Sequence, residues 1–303
     1  MYMKNNISIS ILIPCYNWDV YHLIYSLQQL CVQAKNLYKF EILCIEDGSD
    51  QFFLNKKIAN LKHVKYKELS KNIGRSKIRN MMAKKALHDW LLFIDADSKI
   101  IRKSFVQDYI DHILNHNKQK IPYSTVYYGA TMYSNKKPEK NKKLHWTYGS
   151  KIESQRKKNI FCSHHFLIAR KYFKKDRIQF NEQIQSYGYE DVFFVLENNL
   201  KSVYIQTPLL HVGIKKNSEF INHTEQALKN LNHYHQKIKN SEKKIKILRF
   251  QKILSTIMLT YPIIILFTVF KLLILKNLKS NTPSMWLFQF YKLGYLLHVK
   301  ADD

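Results

Sequence analysis

Strand-length apolar runs alternate with helix-like stretches through the first hundred residues, and few chain folds accept that order. The runs at 7–13, 40–45 and 90–94 have strand length, while 21–32 and 77–87 place apolar residues at helical spacing. Strands separated by helices pair in parallel, because only a crossover of that length brings the chain back in the same direction, and the helices then cover the sheet. The opening is therefore α/β: a Rossmann-like, mostly parallel sheet flanked by helices. Residues 115–158 turn polar and lysine-rich, broken by Pro122 and Pro138 around the apolar run 124–132, which reads as one strand plus a long variable loop. A late strand at 202–206 leads through Pro208 to His211.

Asp95 and Asp97 stand at the polar end of the run Trp90-Leu91-Leu92-Phe93-Ile94. A buried strand ending in acid-spacer-acid sends two oxygen ligands into the crevice at the carboxyl edge of the sheet, where a divalent cation can bridge them to a diphosphate. A second pair, Glu190 and Asp191, follows Ser186-Tyr187-Gly188-Tyr189 and opens an apolar stretch of helical spacing. Acids at a helix start also serve capping and the helix dipole, so this pair alone selects no chemistry.

The 49 Lys and Arg against 23 Asp and Glu give a formal charge of +26, a surface that attracts nucleic acid, anionic lipid or phosphorylated substrates without choosing among them. Cys15, Cys31, Cys44 and Cys162 form no C-x-x-C pair, and Cys15 and Cys44 fall on apolar runs, as reduced core residues do. Together with an opening that lacks the features of a signal peptide, this leads to the expectation of a reducing, cytoplasm-facing placement of the catalytic part.

Past Lys215 the composition shifts. Residues 217–248 are basic and helical in character, and 253–270 then runs without a charge before Lys271, with apolar residues resuming to Leu275. Its length is at the border for spanning a bilayer. Pro262 and Thr256, Thr260 and Thr268 weaken spanning, while lysines on either side suit contact with anionic lipid. Interfacial, spanning and buried placements all stay open, for this run and for the Trp, Phe and Tyr residues of 286–298. The domains expected are 1–215, carrying the chemistry, and 216–303, a basic helical extension whose apolar segment is 253–275.

Several short motifs come in a fixed order: Ile11-Leu12-Ile13-Pro14-Cys15-Tyr16-Asn17, Ile45-Glu46-Asp47-Gly48-Ser49-Asp50, Asn72-Ile73-Gly74-Arg75 through Arg79-Asn80, Asp95-Ala96-Asp97, Gly188-Tyr189-Glu190-Asp191, and His211. Over about residues 7–215 this series resembles the family 2 glycosyltransferases, inverting enzymes of the GT-A fold that use nucleotide-activated sugars. The resemblance implies that Pro14, Tyr16 and Asn17 line the base pocket and that Asp47 hydrogen-bonds the base, usually uracil. Where the family commonly has a first Asp, this chain has Glu46, a change expected to be tolerated. It further implies that Arg79, with Arg75 as a neighbour, reaches the nucleotide, that Asp97 and His211 hold Mn2+ or Mg2+, and that Asp95 contacts the ribose, the cation or its water. Asp191 resembles the catalytic base, with Glu190 beside it; the sequence does not separate the two acids.

The function so implied is metal-dependent hexosyl transfer from a nucleotide-diphospho-sugar, usually a UDP-sugar, to a glycan or lipid-linked acceptor in cell-surface polysaccharide synthesis. The expected location is the cytoplasmic face of the membrane, peripheral or single-span, with no nucleic acid partner. Two other readings compete. A haloacid-dehalogenase-type phosphatase also places Asp-x-Asp after a strand, but at the first strand of the fold. A membrane-attached nucleic-acid-binding protein would use the charge and the aromatics, but leaves the ordered acids unexplained, since carboxylates repel phosphate. His164 and His165 are read only as groups that touch an acceptor or pack.

Overall fold

The computed structural model describes residues 6–51, 54–119, 125–155, 161–174 and 178–302. In chain order the elements are β1 (Ile7–Cys15), α1 (Tyr21–Gln33), β2 (Leu37–Glu46), β3 (Val64–Glu68), α2 (Arg75–Lys85), β4 (Trp90–Ile94), β5 (Ser98–Lys99) and α3 (Phe105–Gln119). They continue with β6 (Thr125–Met132), α4 (Lys143–Tyr148), β7 (His165–Ala169), α5 (Lys171–Lys174), α6 (Glu190–Glu197) and β8 (Lys201–His211). The remainder is helical: α7 (Asn217–Tyr234), α8 (Ser241–Lys244), α9 (Lys246–Thr256), α10 (Thr260–Leu278) and α11 (Met285–Asp302). The chain divides into two compact units, one holding the described residues of 1–134, 156–185 and 190–213, the other 135–155, 186–189 and 214–303.

The first unit is built on one eight-stranded sheet in the order β3-β2-β1-β4-β7-β6-β8-β5. Strands β3, β2, β1 and β4 run parallel; β7 is antiparallel to both β4 and β6, β6 is parallel to β8, and β5 is antiparallel to β8. The sheet is α/β as expected, and mixed rather than uniformly parallel. Strand β1 shows why its sequence is nearly all apolar: Ile9, Ile11 and Ile13 join Leu23, Leu27 and Ile110 in one core cluster, while Leu12 joins Ile78, Met82 and Phe166 in another. Helices α1 and α3 therefore supply one layer and α2 the other, and burying both faces makes 11–13 wholly apolar, while Ser8 and Ser10 at the start of the strand donate their hydroxyls to Asp89 and Glu41. Each apolar side chain so buried contributes about 1.5–3 kcal/mol by leaving water.

The structure adds elements that the sequence reading did not name: β3, β5, β7 and α3. It also corrects the loop expected over 115–158. Helix α3 runs on to Gln119, and α4 lies in the lysine-rich stretch, tied down within the second unit. There Asn217 accepts the Leu144 N–H at 2.9 Å and donates to the Lys140 carbonyl at 3.0 Å, and the His145 ring stacks on Phe220 with centroids 4.3 Å apart. Pro122, Ser124 and residues 156–158 lie outside the described residues, as do residues 1–5.

The apolar C-terminal run is two pieces. The chain turns at Met258, in the left-handed region at φ 57°, between α9 and α10. Pro262 thus occupies the first turn of α10 rather than the centre of a longer helix, a position where its missing N–H forfeits no helical bond. Phe267, Ile274 and Leu278 are the buried residues of α10, and at Gly294 of α11 an added Cβ would stand 2.5 Å from the Phe267 ring. The two helices approach closely because that position has no side chain.

Candidate active site

The carboxyl ends of β1 and β2 form the first wall. Asn17, at φ 50°, turns the chain out of β1, and its side-chain oxygen accepts the Asp50 and Gln51 N–H groups at 2.8 and 2.9 Å. Tyr16 is half exposed and donates its hydroxyl to Asp50 at 3.0 Å, and Pro14 pairs with Ile45 across the β1–β2 ladder. Glu46 is buried at the centre of this wall. Its carboxylate accepts from Ser49 Oγ at 2.8 Å, Cys15 Sγ and Tyr66 hydroxyl at 3.2 Å, and Asn55 Nδ2 at 3.3 Å.

Asp47 was expected to meet a base. Its two oxygens accept the backbone N–H groups of Ile73 (2.8 Å) and Gly74 (3.2 Å), so the carboxylate clamps the turn that starts α2. Burial raises its proton affinity, and these two N–H groups oppose the rise. Gly48, at φ 64°, is required here: a Cβ would lie 2.3 Å from the Lys71 and Asn72 backbone.

From that turn α2 carries two arginines inward. Arg79 is 2% exposed and donates through Nη2 to Asp95 Oδ1 at 2.9 Å, and its Nη1 lies 3.7 Å from Glu190 Oε1. Arg75, half exposed, lies 3.6 Å from the same Glu190 oxygen. Glu190, at the start of α6, is buried between the two guanidinium groups, whereas Asp191 beside it is partly exposed and accepts the Val192 N–H at 2.7 Å. Burial and the charge of Asp97 raise the Asp95 pKa against the Arg79 ion pair.

Asp97 and His211 meet because the sheet brings them together. Ser98 and His211 are register partners in the β5–β8 ladder, the Val212 N–H donates to the Asp97 carbonyl at 2.9 Å, and Asp97 Oδ1 stands 3.4 Å from His211 Nδ1. Burial would raise the Asp97 carboxyl, but His211, His164 and Arg75 outweigh it and hold it well below the usual carboxylate range. Gly213 leaves the room: a Cβ there would fall 2.2 Å from Asp97 Oδ2. The buried His164, at the entry to β7, completes the group, with one ligand atom from each of Asp97, His164 and His211 lying within 4.8 Å of the others. Its Nδ1 has no hydrogen-bond partner, and a carboxylate with two imidazoles, one of them carrying an orphaned buried nitrogen, suits a divalent cation.

The structure thus brings Arg75, Arg79, Asp95 and Glu190 into one ion-paired set and Asp97 with His211 into another. Tyr16, Asn17, Asp50 and Ser49 make a third group, and Asp47 serves the α2 turn. His164 was not recognised as a candidate ligand from sequence, where a histidine pair in a cysteine- and serine-containing stretch carries no spacing signal. Its neighbour His165 is a packing residue, accepting from the Tyr109 hydroxyl at 2.7 Å and lying 3.2 Å from the Ala130 carbonyl.

A mixed sheet of this topology flanked by helices defines a GT-A-type α/β fold. The profile of glycosyl transferase family 2 matches residues 10–177, over half of the chain, and the chain belongs to that family, which makes it a transferase of the nucleotide-sugar class. Among solved structures it is similar to S. aureus TarS 1–349 in complex with UDP, at 17% identity and a TM-score of 0.50, over 98% of this chain and 91% of that one. A longer S. aureus TarS structure gives 20% identity and 0.48 over 74% of this chain, which spans 40% of its length. GalNAc-T7 with UDP, GalNAc and Mn2+ gives 14% and 0.49 over 71% of this chain and 44% of that one. At these identities the likeness is one of fold. No curated protein matches the chain significantly.

Proposed function

We propose that the chain transfers a hexosyl unit, with inversion, from a UDP-sugar to a glycan or lipid-linked acceptor in cell-surface polysaccharide synthesis. The observation that carries this reading is the meeting of Asp97 with His211 beside the Arg79–Asp95–Glu190 ion pairs, in a member of a glycosyltransferase family. The UDP bound by TarS 1–349 is in keeping with it.

Asp97 and His211 would hold Mn2+ or Mg2+, which supplies positive charge to the departing diphosphate. Arg79 and Arg75 place two further positive groups at the phosphates, while Tyr16 and Asn17 line the base pocket with Pro14. Asp47 acts by fixing the 73–74 turn, leaving base contact to its remaining acceptor capacity. Of the two acids in α6, Glu190 faces two guanidinium groups, and protonating it would forfeit those ion pairs. Asp191 is therefore the base: it takes the proton of the acceptor hydroxyl as that oxygen bonds to the anomeric carbon and the bond to the diphosphate breaks. Residues 1–215 carry the chemistry, and 216–303 hold it at the cytoplasmic face of a membrane.

Calorimetric titration with UDP, with and without Mn2+, tests the reading. Metal-dependent binding that Asp97→Ala weakens at least tenfold is the expected result, and failure of UDP, GDP, CMP and dTDP alike, with either cation, would overturn it.

A further inference from the structure

His164 is held through its backbone and through one ring nitrogen, with the other ring nitrogen left over. Its carbonyl accepts the Asp95 N–H at 2.9 Å, which fixes its backbone to the end of β4, and its Nε2 meets Ser98 Oγ at 2.9 Å. Both anchors flank Asp97. The ring lies edge-on to His211 with centroids 5.4 Å apart, and its Nδ1 is buried without a hydrogen-bond partner. Leaving a buried polar nitrogen unmade costs about 1–3 kcal/mol. A hydroxyl on the far nitrogen is also what fixes the tautomer of a metal-binding histidine, since Nε2–H donating to Ser98 leaves the Nδ1 lone pair for a ligand.

We propose that His164 Nδ1 is a third protein ligand of the cation held by Asp97 and His211, and that the two imidazoles make the site prefer Mn2+-type transition metals over Mg2+. The inference rests on the glycosyltransferase reading only for the presence of a cation at Asp97. The three ligand atoms lie within 4.8 Å of one another and would draw in on one ion, because neighbouring ligands at metal–nitrogen distances of about 2.1 Å stand roughly 3–3.5 Å apart. Mg2+ favours oxygen ligands in a strict octahedron and parts reluctantly with water, whereas Mn2+ and its heavier neighbours accept nitrogen more readily. Ser98 is a positioning residue in this arrangement.

The test is a Mn2+ titration of the full chain, with and without UDP, followed by electron paramagnetic resonance and with Mg2+ as competitor. Mn2+ should bind and resist a hundredfold excess of Mg2+. His164→Ala should weaken Mn2+ at least tenfold and narrow that preference. Pulsed resonance on the wild-type complex counts coordinated imidazole nitrogens: two support the inference and one overturns it, so the test survives a variant that fails to fold. Unchanged Mn2+ affinity in a folded His164→Ala also overturns it while leaving the catalytic reading intact. A wild-type chain that binds neither cation even with UDP would instead defeat the cation site itself, and this inference with it.

Discussion

Glu46 stands where its family usually has Asp, and the structure says what the extra methylene does. It carries the carboxylate far enough to accept from Asn55 and Tyr66 as well as from Ser49 and Cys15. Glu46→Asp, although it restores the usual residue, should therefore cost about 1–2 kcal/mol in denaturant unfolding, through buried donors left unpaired. His165 sets an acid limit. Burial holds its pKa at about 4 against an ordinary 6.5, opposed only by the Ala130 carbonyl. The unfolded chain thus takes the proton first as pH falls, so this contribution is whole above about 6.5, shrinks between 6.5 and 4, and is gone below 4. The loss is at most about 3 kcal/mol, and His165→Gln should flatten that part of a stability-against-pH curve. The ordered motifs of the resemblance singled out Asp95, Asp97, Glu190 and His211, and the structure pairs Asp95 and Glu190 with Arg79 and Asp97 with His211. His164 was not singled out, since only the pairing of β4 with β7 brings it beside Asp97, and that pairing spans about seventy residues of sequence.

At the level of elements, the site depends on positions that bear no side chain. Gly213→Ala would drive a methyl into the Asp97 carboxylate from the strand β8 side while replacing no ligand. It should weaken Mn2+ binding at least tenfold, read by the same resonance titration, with near-native circular dichroism. Within the first hundred residues the elements legible in sequence were β1, β2, β4, α1 and α2, and further on the runs at 124–132 and 202–206 and the acids opening α6 were read as well. Strand β3 escaped because it is an edge strand, Val64-Lys65-Tyr66-Lys67-Glu68, whose outward side chains are charged. Strand β5 is two residues long, too short for any pattern. Helix α3 is a different case: Phe105, Tyr109, Ile110 and Ile113 form a regular buried stripe, and the signal was present but unread.

Across the whole molecule, one helix among the described residues, α10, is long and apolar enough to cross a membrane, yet only 17% of its apolar window is buried. Phe267, Ile274 and Leu278 face inward, while Ile265, Leu266, Val269, Leu272 and Leu273 are exposed. Lys271 lies well inside the helix, so an in-plane placement, with the ammonium reaching headgroups, is cheaper than a span that would set the charge within hydrocarbon. The chain should sediment with vesicles containing anionic lipid, and Val269→Glu with Leu272→Glu should release it to the supernatant at least tenfold. The turn at Met258 also separates basic α9 from apolar α10, so on a bilayer charge and grease would be presented as distinct faces. A chain moored in that way searches two dimensions instead of three. An acceptor dissolved in the same leaflet is then met at an effective concentration of order millimolar, however dilute the protein is in the cell, and turnover should follow the mole fraction of acceptor in the lipid rather than its bulk amount.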